Sequence, residues 1–113
     1  MDDSILTTIK KMLGPGSEHN HFDTEIIIHI NSAFNTLNQL GLGPSEGFAI
    51  QDKTSEWTEF IPEDNKHFES VKSYVYLKVK LIFDPPTNSA VIDSMKEMIK
   101  EFEWRLNAEA ESN

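Results

Sequence analysis

A small all-α helical bundle is the fold class this sequence predicts, with about four main helices and a long ordered loop between the second and the third. Three observations carry that expectation. Apolar residues recur at three- and four-residue spacing in four separate runs, the periodicity of amphipathic helices. Each of the first three runs stops at glycine or proline, residues that end helices by adopting left-handed backbone or by breaking the hydrogen-bond ladder. The 113 residues suffice for one small core and are too few for two ordinary domains. The expected layout is one helical domain over residues 1–108 and a short acidic tail over 109–113.

The first helix is expected to begin near Asp3 or Ser4, either of which can cap the free amides of a first turn. Ile5, Leu6, Ile9, Met12 and Leu13 fall on one face, and "GPGSE" at 14–18 ends the run. The second helix is read over residues 24–40, with Asp23 or Thr24 as its cap and Gly41 just past its end. Its stripe is Ile27, Ile30, Phe34, Leu37 and Leu40, with Ile26 alongside and Ala33 small enough to admit a close neighbour. The run "IIIHI" would also suit a strand, but the helical stripe continues ten residues beyond it.

Residues 41–65 break the pattern. "GLGPSEGFAIQDKTSEWTEFIPEDN" holds three of the five glycines, two of the five prolines, and six acids (Glu46, Asp52, Glu56, Glu59, Glu63, Asp64) against Lys53 alone. Phe48, Ile50, Trp57, Phe60 and Ile61 are apolar fixings that would keep it ordered, with one helical turn around 55–60. A loop this long in a compact domain is more often functional than merely connecting.

The third helix, 65–83, directs Phe68, Val71, Val75, Val79 and Ile82 to the core, widened by Tyr74, Leu77 and Leu81. At about 1.5 Å per residue it is a rod of about 28 Å. "LIFDPP" at 81–86 then forces a corner. Proline disfavours helical backbone in the residue before it, so Asp84 is pushed toward an extended conformation. Pro85 and Pro86 fix their own φ angles, and Thr87, Asn88 or Ser89 can cap the last helix. That helix carries Val91, Met95, Met98 or Ile99, Phe102 and Leu106 on one side as far as about Ala108, and "AEAESN" is expected to fray.

Composition narrows the function. Without cysteine there is no disulfide framework, thiolate metal site or thiol nucleophile. No apolar run approaches the roughly 20 residues that cross a bilayer, and the acidic N-terminus lacks the basic start of a signal peptide; a soluble chain of the cell interior is expected. Nineteen acids against ten bases give a formal charge of −9. That balance argues against gripping nucleic-acid phosphates, which takes Lys and Arg, and it also helps keep a small domain soluble.

The candidate chemical groups are sparse. His19 and His21 in "HNH", near Glu18 and Asp23, outline a metal site but lack a third well-placed ligand; the three letters alone do not make a nuclease motif. His29 reads as a core or surface histidine, since no nucleophile or orienting partner accompanies it. Glu56, Glu59, Glu63 and Asp64 read as a solvated acidic loop rather than a catalytic pair. "GLGPSEG" lacks the Lys-Ser/Thr and the strand-to-helix setting of a phosphate loop. No catalytic, cofactor or metal site is expected, and the chain is not read as an enzyme. Trp104 follows Phe102 by two positions, so the two rings point to different faces. A packing role is the preferred reading for Trp104, with an exposed, partner-binding indole beside Arg105 as the alternative.

With "IKKMLG", "FDTEIIIHINSAFNTLNQLGLGP", a tryptophan, "VKSYVYLKVKLIFDPP" and "EFEWRLN" in that order, over about residues 5–107, the sequence resembles the head-tail connector (adaptor, or head-completion) proteins of long-tailed bacteriophages. "NSAFNTLNQLG" and "YVYLKVKLIFDPP" are the most specific parts. The resemblance implies a small α-helical bundle, in agreement with the periodicity, and a structural virion protein without cofactor. Such connectors form a ring of about twelve copies under the portal at the capsid vertex, joining head to neck and tail around a channel for DNA. The implied partners are the portal protein, other neck or tail-completion proteins, further copies of itself, and DNA that passes without specific binding; no membrane is implied. The implied location is the head-tail interface of the virion, with assembly in the host cytoplasm.

Further expectations follow from that resemblance. Acidic lumen walls would avoid trapping DNA; a lumen lined by Lys72, Lys78 and Lys80 would contradict this. Head-to-tail contacts use two different surfaces of each subunit, expected here between Lys72, Tyr76 and Lys80 of one copy and Glu56, Glu59 and Glu63 of the next. The C-terminal part of such proteins commonly engages the portal, which makes Trp104, Arg105 and Leu106 the candidate portal contact. The alternative from another class is a small acidic helical module that mimics DNA or caps a regulatory target, a monomer or dimer with acids in two rows along one face.

Overall fold

The computed structural model describes residues 4–14 and 20–112. Its helices are α1 (Ile5–Leu13), α2 (Asp23–Gln39), a single turn α3 (Trp57–Phe60), α4 (Phe68–Phe83) and α5 (Ser89–Ser112), with a 3-10 turn (Asn20–Phe22) leading into α2. Among the described residues there is no β-strand, only an isolated antiparallel bridge between Ser4 and Glu56. The all-α bundle expected from the periodicity is the fold, and α4 is its centre, packed against α1, α2 and α5.

Local chemistry sets the helix ends. Ser4 caps α1, its Oγ accepting from the Thr7 amide at 3.2 Å. Gly14 closes the helix at φ 110°, a backbone conformation other residues rarely adopt, and its amide donates to the Lys10 carbonyl. The rest of the "GPGSE" turn, and Asp3, lie outside the described residues. Asp23 or Thr24 is the cap the sequence suggests for α2, but both lie inside the helix, and Phe22 holds the cap position without a side-chain bond. The Asp23 carboxylate instead lies 2.7 Å from Lys10 Nζ, joining α1 to α2 while its charge still suits the positive end of the helix dipole.

The core stripes are Ile5, Leu6, Ile9 and Leu13 of α1; Ile26, Ile30, Ala33, Phe34 and Leu37 of α2; and Phe68, Val71, Tyr74, Val75 and Val79 of α4, all buried. Each fully buried aliphatic side chain contributes about 1.5–3 kcal/mol relative to exposure. Two residues assigned to these stripes are corrected. Met12 and Ile82 keep the helical register but lie at the edge of their stripes, turned away from the cover that their neighbours Leu13 and Phe83 still receive, and are exposed.

At the corner, Asp84 is non-helical at φ −151°, ψ 67°, and Asn88 caps α5 by accepting from the amides of Ala90 (2.8 Å) and Val91 (3.2 Å). Helix α5 lies on α4 through Met95, Ile99, Phe102 and Leu106. Of the pair Met98 or Ile99 it is Ile99 that faces inward, while Met98 and Val91 are exposed. The helix runs on to Ser112, through residues expected to fray.

The long loop is ordered by bonds that secondary structure does not supply. Asn31 Nδ2 donates to the Ile50 carbonyl at 3.0 Å and its Oδ1 accepts from the Ile50 amide at 2.7 Å, so one side chain pairs with the backbone as a neighbouring strand would. Asn38 Nδ2 reaches the carbonyls of Leu42 and Pro44. Trp57 is fully buried, and its Nε1 donates to Thr8 Oγ1 at 3.2 Å. The Ile5 amide donates to the Ser55 carbonyl at 3.0 Å. Phe34, Phe48 and Phe60 pack ring against ring, with centroids 4.5–5.3 Å apart. Gly43, at φ 81°, lies under the Phe60 ring, where a Cβ would come within 2.3 Å of Cε1.

Candidate interaction surfaces

Trp104 projects from the outer side of α5, and 69% of it is exposed. This corrects the packing reading: Phe102, two residues earlier, turns inward to Tyr74 and His67, with ring centroids 5.6 and 5.9 Å away, and the geometry of a helix sends position 104 the other way. Trp57 is the packing tryptophan. Beside Trp104, Arg105 is exposed and pairs with Glu101 Oε1 at 2.5 Å. Leu106 belongs to the core, 3% exposed, and anchors the helix that presents its two neighbours.

A groove of about 340 Å³ runs between α4 and α5. Tyr74, Leu77, Met98 and Phe102 supply its apolar lining, and the Glu101–Arg105 pair lies along one side. The Tyr74 hydroxyl donates to Glu103 Oε2 at 2.5 Å. Burial first, and that carboxylate second, hold the phenol far above its ordinary pKa, because an anion there would be both desolvated and beside a like charge.

Lys72, Tyr76 and Lys80 succeed one another at four-residue spacing along α4, each partly exposed. Neither lysine is without a partner inside the chain. Lys72 Nζ lies 4.5 Å from the Phe68 ring centroid and 3.7 Å from Glu69; Lys80 Nζ lies 2.9 Å from Asp84. Lys78 sits over Tyr74 at 5.8 Å. In the loop, Glu56, Glu59 and Glu63 are exposed. Glu59 Oε2 accepts from the Glu56 amide at 2.9 Å and so steadies α3. At the neighbouring tip, Asp52 accepts from the Thr54 hydroxyl and amide, which lowers its pKa.

One cluster has no signal in the sequence. Glu109 of α5 meets His67 Nε2 at 3.2 Å and Lys66 Nζ at 3.3 Å, at the start of α4. The hydrogen bond from His67, then that from Lys66, lowers the Glu109 pKa. The partners are 42 residues apart, and Glu109 fell in the segment expected to fray, so neither spacing nor composition points to them.

His21 is exposed and His29 half-buried, while His19 and Glu18 lie outside the described residues. Among the described residues no three His, Cys, Asp or Glu side chains gather where they could hold a metal ion. Nor is any helix of these residues long and apolar enough to cross a membrane.

A helical bundle whose polar side chains serve caps, loop fixing and interhelical ties, and whose outward features include a bare indole, an apolar groove and exposed aliphatic side chains such as Ile28 and Ile82, has the make-up of a structural interaction protein. The chain matches the family model "Phage connector protein" over residues 5–113 and belongs to that family. No curated protein and no solved structure matches it significantly. Its role is that of a structural connector of a bacteriophage.

Proposed function

We propose that the protein forms a head-to-tail ring of about twelve copies beneath the portal, at the join of capsid and tail, and that DNA passes through the ring without being bound. The observation that carries this reading is Trp104, an exposed indole on a buried-face helix of a chain that matches the connector family almost throughout. Trp and Arg dominate the energetics of protein contacts, so Trp104 and Arg105 are the proposed portal contact, with Leu106 positioning them from within. The net charge of −9 supports a passage that repels rather than traps DNA. Between copies, the proposed contact sets Lys72, Tyr76 and Lys80 against Glu56, Glu59 and Glu63; it requires the lysines to exchange or share their Glu69 and Asp84 partners.

Native mass spectrometry over a range of concentrations, alone and with the portal protein, tests the reading. A closed species near twelve subunits, or a multi-copy complex with the portal, is expected. A protein that stays monomeric or dimeric in both conditions overturns the ring and favours the acidic regulatory module. Charge reversal at Lys72 and Lys80 that leaves the ring intact removes the proposed subunit contact alone.

A further inference from the structure

Beyond Leu106, no large apolar side chain anchors α5 among the residues whose burial is described: Asn107 and Ala110 are exposed, and Ala108 and Glu109 half-buried. The last turn carries no basic residue, and acids near a helix C-terminus oppose its dipole. By itself this end should unwind. It is helical to Ser112, and its visible tie to the rest of the bundle is Glu109, held by Lys66 and His67 at the opposite pole of another dipole, the N-terminus of α4.

We propose that Lys66, His67 and Glu109 form a proton-dependent clasp that holds the end of α5 on the start of α4, closed when His67 is protonated and loosened when it is neutral. The His67 side chain is 15% exposed and meets both Glu109 oxygens at 3.2 Å. Its ring is also edge-on to Phe102, which fixes its direction. The charged groups facing it are Lys66, from the preceding loop, and Glu109, from α5. Glu103, one helical level away, is engaged by Tyr74. With His67 charged, the Glu109 carboxylate bridges two cations. With His67 neutral, that second charge is gone and its Nε2–H offers Glu109 at most a neutral hydrogen bond, which holds more weakly than the charge-assisted one.

Histidine changes charge between about pH 5 and 8, so the clasp loosens as the pH rises through that range. At the acid end the sign reverses. The Glu109 pKa is lowered in the folded chain, so its contribution is present above the ordinary glutamate value and disappears as the pH falls through the lowered one. The closed clasp therefore needs Glu109 ionised and His67 protonated. This inference does not depend on the ring.

Backbone-amide exchange by NMR on the purified chain, expressed as protection factors at about pH 5.5 and about pH 8, tests it. Protection of residues 108–112 is expected to fall about two- to fivefold at the higher pH, the size of a partly exposed ion pair, while α2 is unchanged. His67→Gln is expected to give the low protection at both values, and so is Glu109→Gln. Because the chain holds other histidines, the decisive comparison is the variant: equal protection at the two pH values in the wild type, or a pH response that survives His67→Gln, overturns the clasp. The His67 ring-proton titration, followed in wild type and Glu109→Gln, gives a second reading that needs no helix loss. A midpoint unchanged between the two chains also overturns it.

Discussion

The loop between α2 and α4 and the helix α5 invert the usual relation between regularity and burial. Residues 41–67 hold one helical turn, yet Ile50, Trp57, Phe60 and Ile61 are each at most 3% exposed. Helix α5 is 24 residues of unbroken regular structure, yet it packs along one side, with Met98 and Trp104 more than half exposed. A helix satisfies its own backbone groups and can stand on one flank of a bundle. A loop cannot, so its backbone must borrow partners: the Asn31 and Asn38 side-chain amides and the Ile5 amide of α1, which reaches the Ser55 carbonyl. Of these two regions, the regular one is free to face outward on one flank, and the irregular one is fixed at its apolar residues.

The largest effect that would sharpen this contrast is expected from Trp57→Ala. Losing a fully buried indole and its bond to Thr8 should cost about 3–5 kcal/mol, read from the shift in urea midpoint. A loss below about 1 kcal/mol would mean that the loop is not part of the core. Asn31→Ala is next. It leaves the Ile50 amide and carbonyl without partners, at about 1–3 kcal/mol for buried groups, and should raise amide exchange around 48–52 before anywhere else.

A smaller, pH-dependent effect is expected at the α4–α5 seam. The Tyr74 phenol is held above its ordinary pKa, so the folded chain resists an ionisation that the unfolded chain undergoes near pH 10. Stability should therefore fall as the pH rises past about 10. Tyr74→Phe should flatten that decline in alkaline urea titrations, and an unaltered slope would separate Tyr74 from it. Smallest of all, Trp104→Ala should leave the unfolding free energy within about 0.5 kcal/mol while weakening capture of the portal protein. A large loss of stability would show that the indole packs, and the contrast would break at its outer side.

The helices were legible because their periodicity is a local record of burial. The stripes of α2 and α4, the Pro-Pro corner and a cap from among Thr87, Asn88 and Ser89 all follow from neighbours within a few residues; the structure selects Asn88. Register alone could not say how wide the covered face is, which is why Met12, Ile82 and Val91 were placed inward and Met98 and Ile99 stood as alternatives. It also could not see Asp23 turning from cap to ion-pair partner, since that depends on Lys10 of another helix. Asn31 and the Lys66–His67–Glu109 cluster were invisible for the same reason: each works on residues 19 or more positions away. Of the surface candidates, Trp104 and Arg105 were identifiable by type, but their outward direction needed Phe102 and Leu106 to be seen turning in.

The bond between Trp57 and Thr8 spans 49 residues, and the Ile5–Ser55 link spans a similar stretch. During synthesis α1 is made before the elements it packs on; α2 follows soon after, but Trp57 and then α4 are made some fifty residues later. At about 5–20 residues per second, Ile5, Leu6, Ile9 and Leu13 wait for roughly 3–10 s without that part of the surface they will cover. Helix α1 is thus made early and covered late, and a nascent chain stalled before Trp57 presents a partly bare apolar stripe to whatever chaperone meets it.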